Sequence, residues 1–316
     1  MKVLANDGIA AGGKKKLEEA GFEVITTKVA QEQLSNYIKE NEISALIVRS
    51  ATKVRKDVID SCPSLKAIGR AGVGMDNIDV EYARSKGLYV FNTPAASSSS
   101  VAELVFAHLF GAVRFLYDAN RNMPLEGDSR FKDLKKSYAA GSELRGKTLG
   151  IIGFGRIGRE VAKIALGIGM KVIASDSTKG EAEITLEFYN HQEIKIPIKT
   201  EPVEELIKHA DFITLHVPSQ KEPILGKEEF SQMKKGVGII NAARGGVIDE
   251  VALVEAIDDG KVAFAGLDTF ENEPSPAIKI LMHPNISLSP HIGAATNEAQ
   301  ERIGYELAEQ LISHFQ

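Results

Sequence analysis

The sequence predicts an α/β fold built on parallel β-sheets. Short apolar runs alternate with charged, helix-permissive segments along most of the chain, which is the pattern of repeated β-α units. The runs ALIV at 45–48 and KAIG at 66–69 lack polar alternation, so we expect strands that are buried on both faces. A glycine-rich turn, GFGRIG at 153–158, follows another apolar run and opens a helical segment, as a strand-turn-helix unit requires.

Five strands are predicted in the first half of the chain. Charged segments separate them, and Gly21 and Gly87 mark where two of the intervening helices end. The predicted strands are Val3–Ala5, Phe22–Thr26, Ala45–Val48, Leu65–Gly69 and Leu88–Phe91.

A long apolar segment then interrupts the β-α alternation. Ser100 and Glu103 fit a capping box, in which the serine side chain accepts from a backbone amide and the glutamate reaches back. The helix beyond it, Val101–Tyr117, is apolar on nearly every side, so we expect it to be buried between domains or between subunits. We interpret His108 and Arg114 as satisfied interface residues rather than ligands.

A second β-α series makes up the rest of the chain, after a polar, irregular stretch at 118–146 that we predict as a loop or arm. Residues 183–199 alternate like a β-hairpin. Thr296–Phe315 is predicted as a closing amphipathic helix; because no strand follows it, we expect it to pack back on the first half, making the first domain discontinuous. The predicted strands of this series are Thr148–Ile152, Lys171–Ala174, Phe212–His216, Gly238–Asn241, Ala263–Leu267 and Ile286–Leu288.

Composition narrows the class of protein. A length of 316 residues corresponds to about two domains, and 43% hydrophobic with 26% charged residues excludes a disordered or fibrous chain. The net charge of −5 gives no electrostatic reason to expect nucleic acid or an anionic membrane as a partner. We find neither a signal peptide nor an apolar run of the ~20 residues that cross a bilayer, and we expect a soluble, cytoplasmic protein. The single cysteine, Cys62, excludes a disulfide framework and a multi-cysteine metal site, and no metal is predicted.

The glycine-rich turn carries the clearest chemical signal. Gly153 permits the tight turn, Gly155 lets the backbone approach a pyrophosphate, and Gly158 allows close packing of helix on strand. The helix that follows presents free amides and the positive end of its dipole to a phosphate. The preceding strand and the following helix supply the context that a bare GxGxxG lacks.

An acidic residue follows at the spacing that a ribose-binding group needs. Asp176 ends the next predicted strand, 23 residues after Gly153 and close to the ~20 expected. A carboxylate there accepts from both ribose hydroxyls and repels a 2′-phosphate, which predicts NAD rather than NADP. The alternative is a glycine-rich turn that binds no ligand.

Three further candidates, Arg244, Glu273 and His291, follow predicted strands of the same half. Ligands of open parallel sheets bind outside the carboxyl ends of the strands. Arginine can present a bidentate fork to a carboxylate or polarise a carbonyl, and a histidine held by a glutamate is a general acid/base. Singly they are interpretable as a surface charge, a helix-cap acid and a satisfied loop histidine. Together, beside a nucleotide-binding turn, they predict hydride chemistry, since an alcohol loses a proton as it loses hydride.

These motifs resemble a known family. GIIGFGRIG, NAARGGVIDE, GLDTFENEP and SPHIGAAT are similar to the motifs of NAD-dependent D-2-hydroxyacid dehydrogenases, over almost the entire chain. In the first half, VRSATKV, RAGVGMDNID and FNTPAASSSSVAEL resemble the D-3-phosphoglycerate dehydrogenase branch. The resemblance implies a Rossmann doubly wound cofactor domain, residues 98–289, inserted into a flavodoxin-like substrate domain, residues 1–97 plus 290–316. It also implies a homodimer built by the long helix after residue 98.

The resemblance further implies a role for individual residues. Arg244 would bind the substrate carboxylate or carbonyl, His291 would be the acid/base with Glu273 as its partner, and Asp268 would hold the nicotinamide carboxamide. The implied cofactor-binding residues are Gly153, Phe154, Gly155, Arg156, Ile157, Gly158, Asp176, His216, Val217, Pro218, Ala242, Ala243, Asp268, Gly293 and Ala294. The implied substrate-binding residues are Arg49 and Ser50 near a distal phosphate, and Gly72, Val73 and Gly74, with the amides of Val73 and Gly74 at the carboxylate.

Two features depart from the family pattern. Many relatives carry an asparagine at the position of Ser97, which leaves open the substrate contacts of that loop. The hairpin at 183–199 is more elaborate than the usual connection and either shapes the adenine side or is inert; we favour inert. Larger relatives add a serine-sensing regulatory domain, and because the chain ends at Gln316 we expect none here.

The residues and the resemblance together predict an NAD-dependent D-3-phosphoglycerate dehydrogenase of serine synthesis, acting on a small anionic substrate. One alternative is a glyoxylate/hydroxypyruvate reductase, or another D-2-hydroxyacid dehydrogenase, on the same scaffold. A more remote one is a non-enzymatic, NAD-sensing scaffold similar to the C-terminal-binding-protein corepressors.

Overall fold

The computed structural model describes residues 1–178 and 180–316, which form two compact units. The terminal unit comprises Met1–Ser100 and Ala294–Gln316, and the central unit comprises Val101–Gly293. The terminal unit therefore takes residues from both ends of the chain. Its boundaries lie at 100/101 and 293/294 rather than at 97/98 and 289/290.

The described residues contain thirteen strands and thirteen α-helices. The strands are β1 (Lys2–Ala5), β2 (Glu23–Ile25), β3 (Ala45–Val48), β4 (Ala67–Arg70), β5 (Tyr89–Asn92), β6 (Thr148–Ile152), β7 (Lys171–Ser175), β8 (Glu181–Glu187), β9 (Glu193–Lys199), β10 (Phe212–Leu215), β11 (Val237–Asn241), β12 (Val262–Leu267) and β13 (Ile286–Leu288). The helices are α1 (Ala11–Glu19), α2 (Leu34–Glu40), α3 (Lys56–Ser61), α4 (Val80–Ser85), α5 (Ser98–Val113), α6 (Leu116–Glu126), α7 (Phe131–Ser137), α8 (Arg156–Gly167), α9 (Val203–His209), α10 (Lys227–Gln232), α11 (Glu250–Asp258), α12 (Ile278–Leu281) and α13 (Asn297–Phe315), with a 3₁₀ turn at Gln31–Gln33.

The terminal unit is a five-stranded parallel sheet in the order β2-β1-β3-β4-β5. This is the flavodoxin-like order, and all five strands lie within two residues of their predicted bounds. All four residues of β3 are buried, as its unbroken apolar run predicts.

The closing helix belongs to the terminal unit. Its N-cap is Thr296, whose side chain accepts from the Ala299 amide at 3.1 Å. It packs on α1, where a side chain at Gly13 would collide with the backbone of Gly304. The prediction that the last helix returns to the first half of the chain is therefore confirmed.

The central unit is a six-stranded parallel sheet in the order β13-β12-β11-β10-β6-β7. The order reverses between β6 and β10, and the crevice at such a reversal is where doubly wound sheets bind nucleotides. Beyond β7, where a further strand of a Rossmann sheet would lie, the chain makes a single parallel bridge between Ala174 and Thr200.

The predicted hairpin is present as β8 and β9 of the central unit, paired antiparallel from Glu181–Lys199 to Glu187–Glu193. Ile184 and Ile198 are buried and belong to the same apolar cluster as residues of α8 and β7. The hairpin therefore covers the side of the unit next to β7.

Two predictions for the middle of the chain are wrong. The stretch 118–146 contains α6 and α7 rather than only a loop, because a polar composition does not prevent helix formation. The predicted capping box at Ser100 does not form, because α5 already starts at Ser98. The Ser100 hydroxyl instead donates to the Thr296 hydroxyl at 3.1 Å. Among the described residues no single helix is long and apolar enough to cross a membrane; only α5 and α6 taken together, bent by 56°, pass that test.

Candidate active site

The glycine-rich turn of the central unit has the backbone that its sequence requires. Gly153 has φ = 92°, and a side chain there would collide with the His216 carbonyl group. A side chain at Gly158 would collide with the Gly153 carbonyl oxygen, so α8 packs closely on the turn. The Cβ position of Gly155, by contrast, faces open space, and no side chain caps the α8 N-terminus. Its first amides are therefore open to an anion.

Asp176 lies directly after β7 and accepts three hydrogen bonds. The Phe154 amide donates to Oδ2 at 2.6 Å, and the amide and hydroxyl of Thr178 donate to Oδ1 at 2.9 and 2.7 Å. Burial by itself would raise the pKa of Asp176, but these hydrogen bonds and the charge of Arg159 hold it below its ordinary value. A carboxylate is thus kept ionised beside the turn.

His216 follows β10 and faces the turn through its backbone. Its Nε2 lies 3.0 Å from the Thr214 hydroxyl, and burial lowers the pKa of His216 to about 3. The ring is therefore neutral at physiological pH and unsuited to proton transfer. Its carbonyl group and the Val217 side chain lie against Gly153, while Pro218 is exposed.

A turn after β11 presents Arg244. The buried Asn241 side chain shapes it, because Nδ2 donates to the Arg244 carbonyl at 2.9 Å and Oδ1 accepts from the Ala243 amide at 3.0 Å. Ala242 and Ala243 are buried, and the half-buried guanidinium donates to the Ala243 carbonyl at 2.6 Å. A side chain at Gly245 would collide with the Phe270 carbonyl oxygen, so this turn contacts the one that carries Glu273.

Glu273 and His291 form a hydrogen-bonded pair. Glu273 Oε2 lies 2.8 Å from His291 Nδ1, while Oε1 accepts from the Phe270 amide at 3.0 Å. His291 has φ = 54°, a left-handed conformation uncommon for a residue other than glycine. Because Nδ1 bonds to a carboxylate, it carries the ring proton and Nε2 remains able to accept one.

Asp268 fixes the loop that carries His291. Its carboxylate accepts from the amides of Ile292 and Gly293 at 2.8 and 2.9 Å and from the Ser289 hydroxyl at 2.6 Å. The side chain is almost entirely buried. The positive-φ backbone of His291 is therefore held from both sides.

In the terminal unit, the predicted phosphate residues lie directly after β3. Asp7 accepts from the Arg49 amide at 2.6 Å, and Asn77 donates to the Arg49 carbonyl at 2.7 Å. Ser50 accepts from the Arg70 guanidinium at 3.2 Å. A cavity of about 270 Å³ lies beside them, with Asp7, Arg49 and Ala71 in its lining.

The glycine loop after β4 is shaped by backbone contacts. Gly72 has φ = 141°, and a side chain there would collide with the Arg70 guanidinium. The Gly72 carbonyl accepts from the Thr93 amide at 3.1 Å, and the Val73 carbonyl accepts from Asn92 at 2.5 Å. Val73 and Gly74 are half-buried.

The structure thus brings the predicted residues together in two groups. Arg244, Glu273, His291 and the cofactor-binding residues through Gly293 belong to the central unit, and the substrate loops belong to the terminal unit. Ala294 falls in the terminal unit, where its carbonyl accepts from Gln300 at 2.7 Å. Ser97 is buried.

Sequence reasoning missed two groups that shape these loops, Asp7 and Arg70. Each lies at or just past the carboxyl end of a strand, the same signal that identified Arg244. That signal was available for both positions in the sequence.

Comparison with known proteins places the chain in a family. Residues 106–293 match the model of the D-isomer specific 2-hydroxyacid dehydrogenase NAD binding domain. A hydroxypyruvate reductase from Thermotoga maritima is 45% identical over 295 residues, which are 92% of this chain and 90% of that protein. The chain belongs to the D-2-hydroxyacid dehydrogenase family.

A longer relative and a solved structure extend the comparison. A D-3-phosphoglycerate dehydrogenase from Methanocaldococcus jannaschii is 43% identical over 98% of this chain, which spans only 57% of that protein's length. The crystal structure of an Entamoeba histolytica 3-phosphoglycerate dehydrogenase with bound NAD⁺ superposes with a TM-score of 0.77 and 28% identity, covering 100% of this chain and 95% of that one. The protein is an NAD-dependent oxidoreductase.

The turn and its neighbours fit this cofactor. The open face of Gly155 and the uncapped α8 amides suit a pyrophosphate, and the ionised Asp176 suits ribose hydroxyls. We assign these groups to NAD on that fit.

Replacing Glu273 tests the hydrogen-bonded pair. Glu273→Gln is expected to lower kcat about 100-fold with little change in KM, because the charge that stabilises a protonated His291 is lost. Steady-state reduction of the 2-oxo acid that the wild type turns over fastest measures it. Glu271→Gln, two residues away, is the matched control and should retain wild-type kcat. Equal kcat for Glu273→Gln and the wild type would contradict the assigned pair.

Replacing Asp176 tests cofactor choice. Asp176→Ser is expected to weaken NADH binding about tenfold and to improve NADPH binding, since it removes both the ribose acceptor and the repulsion of a 2′-phosphate. Calorimetric titration with each cofactor gives the affinity ratio. Thr178→Ala, which keeps the carboxylate, should leave the ratio unchanged. An unaltered ratio in Asp176→Ser would remove Asp176 from cofactor recognition.

Proposed function

We propose that this protein is a D-3-phosphoglycerate dehydrogenase, which oxidises 3-phospho-D-glycerate to 3-phosphohydroxypyruvate in serine synthesis. The observation that carries the proposal is the cationic group of the terminal unit, where Arg49 and Arg70 flank Ser50 at the ends of adjacent strands. Two guanidinium groups and a hydroxyl match the charge and the donors that a phosphate dianion needs.

The chemistry follows from the group in the central unit. Arg244 orients the substrate carboxylate and the C2 oxygen. His291 Nε2 takes the hydroxyl proton in oxidation and returns it in reduction, and Glu273 stabilises the protonated ring through Nδ1. Bound NAD would supply the acceptor for the hydride of C2.

A second candidate is a glyoxylate or hydroxypyruvate reductase. It is favoured by the Thermotoga relative, which this chain matches along 90% of that protein's length. The reaction at C2 and its catalytic group would be the same, so only the substrate-domain contacts distinguish the two. The cytoplasmic location stays a prediction.

We propose in addition that the protein is a homodimer through α5, α6 and α7. These helices expose large apolar side chains that a monomer would leave in water, with Leu125 76% exposed. The exposed set is Phe110, Leu116, Met123, Leu125 and Phe131.

The substrate assignment is tested with the purified protein. We expect kcat/KM for phosphohydroxypyruvate with NADH to exceed that for hydroxypyruvate and for glyoxylate. Arg49→Ala should raise KM for the phosphorylated substrate by about tenfold or more, since a charge-assisted contact is lost. Arg55→Ala, which removes an arginine paired with Asp79 in the same unit, should not. Higher kcat/KM for glyoxylate or hydroxypyruvate would establish the reductase instead.

The dimer is tested by sedimentation. Leu116→Glu combined with Leu125→Glu is expected to give a folded monomer, because burying two carboxylates in an apolar interface is costly. Met282→Glu, at a similarly exposed apolar residue that caps the end of α12, should remain a dimer. A wild-type protein that sediments as a monomer would overturn the proposal.

A further inference from the structure

A buried imidazole on α5 lies against the strands that lead to the catalytic loop. His108 packs on β12 at Gly266, where an added Cβ would lie 2.8 Å from the His108 Cβ. Both ring nitrogens are used: Nδ1 lies 2.8 Å from the Ser287 hydroxyl and Nε2 lies 2.8 Å from the Ser289 hydroxyl. The two serines are two residues apart at the end of β13, and so project from the same face.

The direction of each hydrogen bond follows from counting protons. Ser289 has one hydroxyl proton and donates it to Asp268 Oδ1 at 2.6 Å. Towards His108 it can then only accept, so His108 carries its proton on Nε2. His108 Nδ1 is left as an acceptor, and the Ser287 hydroxyl donates a hydrogen bond to it. These three hydrogen bonds form a relay, which runs from Ser287 through His108 and Ser289 to Asp268.

The charge state of the ring agrees with this direction. Burial lowers the pKa of His108, and the negative charge of Asp268 only partly opposes that shift. A neutral ring has one donor and one acceptor nitrogen, as the relay needs. The only charge in the relay is then the carboxylate at its end.

The far end of the relay is the residue that holds the catalytic loop. Asp268 accepts the Ser289 hydroxyl two residues before His291 and the amides of Ile292 and Gly293 just after it. The Ser289 carbonyl also accepts from the His291 amide at 3.1 Å. Any rotation of the Ser289 side chain away from Asp268 would release one side of this loop.

We propose that His108 is a positioning residue for His291, which orients the Ser289 hydroxyl onto Asp268 and thereby fixes the backbone on both sides of the catalytic histidine. This inference rests on the role assigned to His291 in the proposed function. It replaces the interpretation of His108 as an interface residue: its polar partners all belong to the same compact unit.

Two substitutions at His108 distinguish a role in positioning His291 from a role in packing alone. His108→Leu keeps an apolar side chain of similar reach but has no donor, and is expected to lower kcat about tenfold through misplacement of His291. His108→Gln retains a donor for Ser289 and should recover kcat to within about threefold of the wild type. His283→Leu, at a histidine hydrogen-bonded to Asp258 beyond the other end of β13, is the matched control and should keep wild-type kcat. Equal kcat in His108→Leu and the wild type, or no recovery in His108→Gln, overturns the proposal.

Hydrogen exchange supplies a readout that does not need turnover. In His108→Leu the amides of Ile292 and Gly293 should exchange at least about tenfold faster than in the wild type, with unchanged exchange in the β6 strand. Ser289→Ala should give the same acceleration, and the double variant should be no faster, because both changes break one relay. The proposal is overturned if the two substitutions accelerate exchange additively. It is also overturned if the two amides are as protected in His108→Leu as in the wild type.

These readouts keep the two proposals apart. One combined outcome is that the wild-type protein turns over none of the 2-oxo acids while His108→Leu shows the accelerated exchange. That combination would contradict the proposed function and support the relay. Histidine ¹⁵N spectra of the wild type should show His108 as the neutral Nε2–H tautomer at neutral pH. An Nδ1–H tautomer would contradict the relay whatever the activity.

Discussion

The buried carboxylate of Asp268 is the interaction on which the geometry of the central unit depends. Its own amide donates to the Asn241 carbonyl at the end of β11. Its side chain accepts hydrogen bonds from backbone amides of the loop that follows β13. One residue at the end of β12 thereby links the ends of three adjacent strands. A buried carboxylate without these donors would be strongly unfavourable, so the loop and the acid stabilise each other.

The remaining parts of the site are held by close backbone contacts. Gly153 lies against the His216 carbonyl and Gly245 against the Phe270 carbonyl, so turns from different strands touch without intervening side chains. Such contacts have little freedom to slide, and they leave Arg244 and the Glu273–His291 pair on rigid supports. A site that transfers both a proton and a hydride needs this precision, because small displacements cost rate steeply.

Local pattern in the sequence predicted most of the strands and several of the candidate site residues. The buried strands, the glycine turn and the strand-end residues Arg244, Glu273 and His291 all follow from periodicity and from the chemistry of parallel sheets. Part of what it missed depends on partners distant in the chain. Ser100 looks like a helix cap until Thr296 is placed beside it, and His108 is informative only once the serines 179 and 181 residues away are known. The polar stretch that forms α6 and α7 shows the limit of composition, since polar residues with helical propensity were assigned to a loop.

The hairpin formed by β8 and β9 has a consequence for the sheet it borders. A parallel sheet that ended at β7 would offer a row of open backbone groups to any strand of another molecule. The hairpin lies beside that border, bridges it at Ala174, and carries Glu183–Lys195 and Glu181–Lys199 ion pairs on its exposed surface. Exposed ion pairs of this kind disfavour addition of a further strand. A hairpin of this kind can in this way protect the fold against aggregation through its edge.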